Sequence, residues 1–192
     1  SQVAAFGGKS PAGAQAEANY RQLTLDQFQV IADWYHYAIL ELVGVKDFNP
    51  EPRWIAKALG ISLSEVNAAL ERLQRLEYLE IRKDGRWVNV SGSNTTVSND
   101  FTAAAFKRLQ RQVLEGALRA LEDVPMDQRD QSSMTFAVDS AQLPEAKSRI
   151  REFRRTLVTD LQKRARSRDS VYQLSVSLYP ATRISKSKEK SS

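Results

Sequence analysis

The chain contains no cysteine, so it can hold no disulfide, no thiolate nucleophile and no zinc site of the cysteine type. It has one histidine, His36, which excludes a histidine-rich metal site. No stretch approaches the roughly 18 consecutive apolar residues of a membrane-spanning helix, and the start lacks a charged, then apolar, then small-residue signal pattern. A cytoplasmic protein with no membrane partner is therefore expected. Signatures of catalysis are missing as well. No phosphate-cradling glycine-rich loop follows a strand, and no Gly-x-Ser-x-Gly occurs. The carboxylates lie among Lys and Arg on helical surfaces, where solvated ion pairs explain them better than a general acid and base. The expectation is a non-enzyme with no catalytic residue, no metal and no cofactor.

The 192 residues, 42% of them hydrophobic, are enough for one or two domains with real cores. A net charge of +5 favours an acidic partner such as nucleic acid. The most informative stretch runs from Glu51 to Val90. Pro52 stands where a first helical turn tolerates proline, Trp54, Ile55, Ala58 and Leu59 give an apolar face, and Gly60 is placed to end the helix. After Ile61, Ser62 and Glu65 have the spacing of a capping box, and Val66, Ala69, Leu70, Leu73 and Leu76 recur at helical intervals. Leu79, Ile81, Trp87 and Val90 flank Asp84-Gly85, a dipeptide favoured in hairpin turns. The order of helix, turn, helix and hairpin predicts a winged helix-turn-helix.

On either side the reading is coarser. Residues 1–20, rich in Gly, Ala, Ser and Gln, have the composition of a flexible linker. Thr24 is expected to cap a bracing helix whose face is Leu25, Phe28, Ile31, Ala32, Tyr35, Ile39 and Leu42, ending near Gly44. The Trp34–Tyr37 run carries too many rings for one face, so a second surface is expected to receive some of them. His36 among them reads as a hydrogen-bonded structural histidine. Residues 91–96 form a polar connector, and a boundary is placed there, with a winged domain over 21–92 and a second domain over 98–181. Ser98 or Asn99 caps a long helix with the stripe Phe101, Ala105, Leu109, Val113, Ala117 and Leu121, which Pro125 ends. Strand alternation over 133–139 and 171–179 brackets a helix from Pro144, with Ala146, Ile150, Phe153, Leu157 and Leu161 inward. That pattern predicts an α-β-α-β domain with a right-handed parallel crossover. Two strands make a poor sheet, so another element or a second subunit is expected to extend it. The Lys-rich tail, 182–192, is expected to be disordered.

The span from about Tyr20 to Pro180 resembles an uncharacterised family of bacterial proteins, many from predatory species, regarded as transcription regulators. The resemblance is carried by Leu25-Asp26-Gln27-Phe28, by Ile31 to Leu42 (IADWYHYAILEL), by Trp54-Ile55-Ala56, Leu59-Gly60 and the Val66–Leu73 helix. Near the end it continues through Arg149–Arg155 (RIREFRR), Val171–Leu174 and Leu178-Tyr179-Pro180. It implies a longer protein with an N-terminal helix-turn-helix domain, of which this chain, opening on Ser1, is the C-terminal part. Tyr78 stands where the family's winged unit usually has glycine after the second helix.

These readings give an α+β protein, a dimerising DNA-binding transcriptional regulator. Ser64, Asn67, Ala68, Glu71, Arg72 and Arg75 of the second helix would meet double-stranded DNA, with Arg82, Lys83 and Arg86 on the wing. Between Lys46 and Val90, however, eight cations face seven anions. Phosphate neutralisation supplies much of DNA affinity, so a single copy is expected to bind weakly and a homodimer to bind better. The alternative is an adaptor whose winged helix docks a protein partner. Arg151, Arg154 and Arg155 of the C-terminal helix form either an anion surface or a solvated face.

Overall fold

In the computed structural model, residues 11–91 and 99–182 are described. Over these residues the chain is mixed α/β and mostly helical, with six α-helices and one two-stranded sheet. It divides into two compact units, Ser1–Ser132 with Ala165–Tyr172, and Ser133–Arg164 with Gln173–Ser192. No helix among the described residues is long and apolar enough to cross a membrane.

The first unit begins with α1, Pro11–Ala32. Its start lies well before the expected cap at Thr24, within the stretch read as linker. Proline suits a first helical position, and the alanines at 12, 14, 16 and 18 outweigh Gly13 in helix preference. The single helix expected to reach Gly44 is broken: α2 runs from Tyr35 to Leu42. At the break the Asp33 carbonyl accepts both the His36 backbone N–H at 3.2 Å and the His36 Nδ1–H at 3.0 Å. That local bonding replaces the continuing helical ladder.

Helices α3 (Pro52–Leu59) and α4 (Leu63–Arg75) follow as expected. Gly60, at φ +66°, ends α3, and the Ile61 N–H returns to the Ala56 carbonyl. The capping box is formed: Glu65 N–H donates to Ser62 Oγ, and Ser62 N–H donates to Glu65 Oε2 at 2.8 Å. At the other end of α4, Tyr78 N–H reaches the Leu73 carbonyl and Glu77 N–H the Gln74 carbonyl. Glu77, at φ +57°, is thus the left-handed residue that ends the helix, and Tyr78 is the one after it. Strands β1 (Leu79–Ile81) and β2 (Trp87–Asn89) pair antiparallel, with Leu79 opposite Asn89 and Ile81 opposite Trp87. Gly85 takes φ +81° in the connecting turn, and Asn89 Nδ2 donates to the Leu40 carbonyl, tying the hairpin to α2.

These elements close on one core. Ile39, Ile55, Val66 and Leu73 are wholly buried, each contributing about 1.5–3 kcal/mol relative to exposure. Phe48 meets the rings of Trp54 and Trp87 edge-on beside it. Helix α5, Asn99–Asp123, packs on α1, where Ala105 is buried with Ile31 and Ala32. It therefore belongs to the first unit, although the sequence placed it beyond a boundary near 92–98. The returning segment adds to the same unit: Arg168 O accepts the Lys46 N–H, and Val171 packs against the core.

The second unit contains α6, Leu143–Arg164, with Pro144 in its first turn as expected. Among its described residues it contains no sheet. Residues 133–139 and 173–179 form no strand pair with each other or with any described residue, so the expected parallel crossover is not present. A parallel pair is stable where both its faces are covered, and one helix can cover only one. No residue of α6 is buried. The expectations for residues 1–10, for the connector at 92–98 and for the tail from 183 fall outside the described residues.

Candidate nucleic-acid interface

Helix α4 has two sides of different character. Val66, Ala69, Leu70 and Leu73 face the core, and the opposite side exposes Ser64, Asn67 and Glu71, with Ala68 half-buried between them. Glu65 is exposed but committed to the cap, and its hydrogen bonds from Ser62 hold its carboxyl below the ordinary value. Leu63 is the only large apolar side chain of α4 that is exposed.

The two arginines expected to reach DNA from this helix are engaged elsewhere. Arg75 grips Asp26 of α1 with both ends of its guanidinium, Nε to Oδ2 at 2.8 Å and Nη2 to Oδ1 at 3.1 Å. Arg72 Nε lies 3.7 Å from the same carboxylate. Asp26 is 1% exposed. Burial pushes its carboxyl up, but the hydrogen bonds from Arg75 and Gln22 and the charges of Arg75 and Arg72 outweigh this, leaving it below its ordinary value. Arg72 and Arg75 thus fasten α4 to α1.

On the hairpin, Arg82, Lys83 and Arg86 are all exposed. Arg86 Nε is 2.6 Å from Asp84 Oδ2, and Arg82 Nε is 3.8 Å from Glu80. Lys83 has no ion-pair partner among the described residues. In the second unit Arg151, Arg154 and Arg155 are exposed on α6, while Arg149 pairs with Glu145 one turn away. The shallow groove of about 500 Å³ on this helix is lined by Arg149, Glu152, Phe153, Thr156, Leu157 and Asp160.

Sequence reasoning missed a buried polar junction around the break between α1 and α2. Asp33, 2% exposed, accepts from Arg108 Nη2 at 2.7 Å and from Gln112 Nε2 at 2.9 Å, both on α5. Gln112 also takes the backbone N–H of Trp34 at 3.2 Å, satisfying a donor freed where α2 begins. His36 is fully buried, stacked on Tyr35 at 4.8 Å between ring centres. Its Nδ1 is held by the Asp33 carbonyl, and its Nε2 has no hydrogen-bond partner among the described residues. Desolvation lowers the His36 pKa to about 4, against the smaller opposing effect of that hydrogen bond. A neutral, structural imidazole is the result. Of the aromatic run, Trp34 and Tyr35 pack against the core shared with α3 and α4. One signal was available in the sequence: Asp26, Val30 and Asp33 share helical spacing, which puts two carboxylates in an apolar stripe.

The junction links α1 to α4 through Asp26 and to α5 through Asp33, and it leaves Ser64, Asn67, Glu71 and Lys83 facing solvent. No curated protein and no solved structure matches the chain. A family model does, over residues 14–181, and the chain therefore belongs to the family described as a domain of unknown function, DUF4423.

Proposed function

We propose that the chain is a DNA-binding transcriptional regulator in which α3, α4 and the β1–β2 hairpin act as a winged helix-turn-helix. Ser64, Asn67, Ala68 and Glu71 meet base edges in the major groove, and Arg82, Lys83 and Arg86 approach phosphates. Arg72 and Arg75 hold the reading helix in place through Asp26. The second unit serves dimerisation or signal sensing.

The observation that carries this reading is the outward face of α4. A helix that docks protein presents a contiguous apolar patch, whereas this one presents Ser64, Asn67 and Glu71, with Leu63 alone at its start. The polar composition fits a hydrogen-bonding surface better than a docking one. Selection from a pool of genomic fragments tests it. The wild-type chain is expected to enrich a defined set of fragments, and Asn67→Ala to lose discrimination among them by about tenfold, the worth of a paired base contact. Enrichment unaltered by Asn67→Ala, or no enrichment, would remove α4 from DNA recognition.

A further inference from the structure

Unit 2 has the patterning of a folded layer without a layer to meet. Met134, Phe136 and Val138 on one segment and Leu174, Val176 and Leu178 on the other are 37–84% exposed. On α6, Phe153 and Leu161, expected inward, are 55% and 62% exposed. With Val158 and Tyr179, ten large apolar side chains of this unit lie open. At a full surface of very roughly 200 Å² each, they expose on the order of 1,000 Å². A standard interface takes about 800 Å² from each partner.

Two further observations bear on what would cover these side chains. The backbone of 133–139 and 173–179 makes no ladder with any described residue, although the alternation in both segments is that of strands. Both are also almost without charge: Asp139 is the one ionisable group in 133–139, and 173–179 contains only the phenol of Tyr179. Edges that stay in solvent are guarded by Lys, Pro or inward charge, and these have none of that protection. The α6 helix, by contrast, carries seven cations against three anions. Two copies would repel if brought together through their helices, but not through their neutral segments.

We propose that residues 133–139 and 173–179 pair, strand to strand, with the same segments of a second copy of this chain, closing one four-stranded sheet beneath two α6 helices. The isologous arrangement presents each copy's open backbone to an identical one and ends the growth at two chains. This deepens the assignment of the second unit to dimerisation and is independent of whether the first unit binds DNA.

Light scattering and amide hydrogen exchange on the full chain test it together. A mass of twice 21.6 kDa at micromolar concentration is expected, with amides in both segments slowed by more than about a hundredfold. Ser175→Pro, which deletes a ladder donor, and Val176→Asp, which charges the apolar face, are each expected to halve the mass and release that protection. All three tryptophans, Trp34, Trp54 and Trp87, lie in the first unit. Unchanged tryptophan emission in both variants separates loss of pairing from global unfolding. A monomeric wild-type mass overturns the proposal, whether or not the amides are protected. So does a mass that keeps rising with concentration, and so does a dimer whose 133–139 and 173–179 amides exchange freely. DNA binding enters none of these readings, so failure here leaves the proposed function standing.

Discussion

The two units of this chain have sequence patterns of similar quality and different fates. In the first, the stripes of α3 and α4 find a facing surface and bury Ile55, Val66 and Leu73 against Ile39 of α2, while Leu25 and, on α5, Leu118 and Leu121 stay exposed. In the second, a helix with a good stripe and two alternating segments leave no residue of α6 buried. Periodicity states which face an element has to cover; it does not state whether the cover lies in the same chain. The strand pairing between two copies proposed above would give the second unit the cover that its own chain does not.

The sharpest way to break the comparison is to delete apolar bulk on each side. Leu73→Ala removes a wholly buried side chain and is expected to cost about 2–5 kcal/mol. Leu161→Ala, in the second unit, where no tryptophan lies, is expected to move the transition of the first unit by less than about 0.5 kcal/mol. Urea unfolding followed by tryptophan emission reads both. Equal effects would mean that the two units unfold as one.

The second contrast is between charge pairs. Arg75→Ala removes both charge-assisted hydrogen bonds to the buried Asp26, leaving it only Gln22 and the more distant Arg72, and is expected to cost roughly 3 kcal/mol, whereas Arg86→Ala, which breaks an exposed hairpin pair, costs below about 1 kcal/mol. The same urea titration measures them. If Arg75→Ala proved as mild as Arg86→Ala, Arg75 would be free for a role on DNA.

His36 sharpens the comparison through pH. Its folded pKa, about 4, lies below the ordinary 6.5. Between those values the unfolded chain binds a proton that the folded chain does not, so stability falls as pH falls through this window. The expected loss from pH 6.5 to 4 is roughly 3 kcal/mol. Asp26 is shifted in the same direction but titrates in a lower window: its contribution is lost only as pH drops below the ordinary carboxylate range, through its lowered folded pKa. Stability curves for His36→Gln that lose the slope above pH 4 would confirm the assignment; an unchanged slope would assign it to other groups.

Local chemistry made much of the first unit legible. Ser62 with Glu65, Gly60, Pro52 and Asp84-Gly85 each act within a few residues of themselves, and the structure uses each as its type suggests. The left-handed residue after α4 was misplaced by one position, because Glu77 takes at some cost a conformation for which glycine would serve better. The break at Asp33 and the tie between Asp26 and Arg75 were not legible. Their partners lie 49 to 79 residues away, and no periodicity connects such positions. Those long-range pairs also decide which cations near α4 remain for a ligand, so the candidate interface was legible as a surface but not in its charge. The α1 start was hidden for a different reason: Gly13 and the surrounding polar residues mask alanines that favour helix.

Whether α4 and the hairpin meet DNA is read by fluorescence anisotropy of the full chain on a selected fragment across a series of salt concentrations. Binding is expected to weaken linearly on logarithmic axes, with a slope smaller by about one for each lost phosphate contact in Lys83→Glu. Absence of binding at low salt, or a slope that Lys83→Glu leaves unchanged, would contradict the proposed contact.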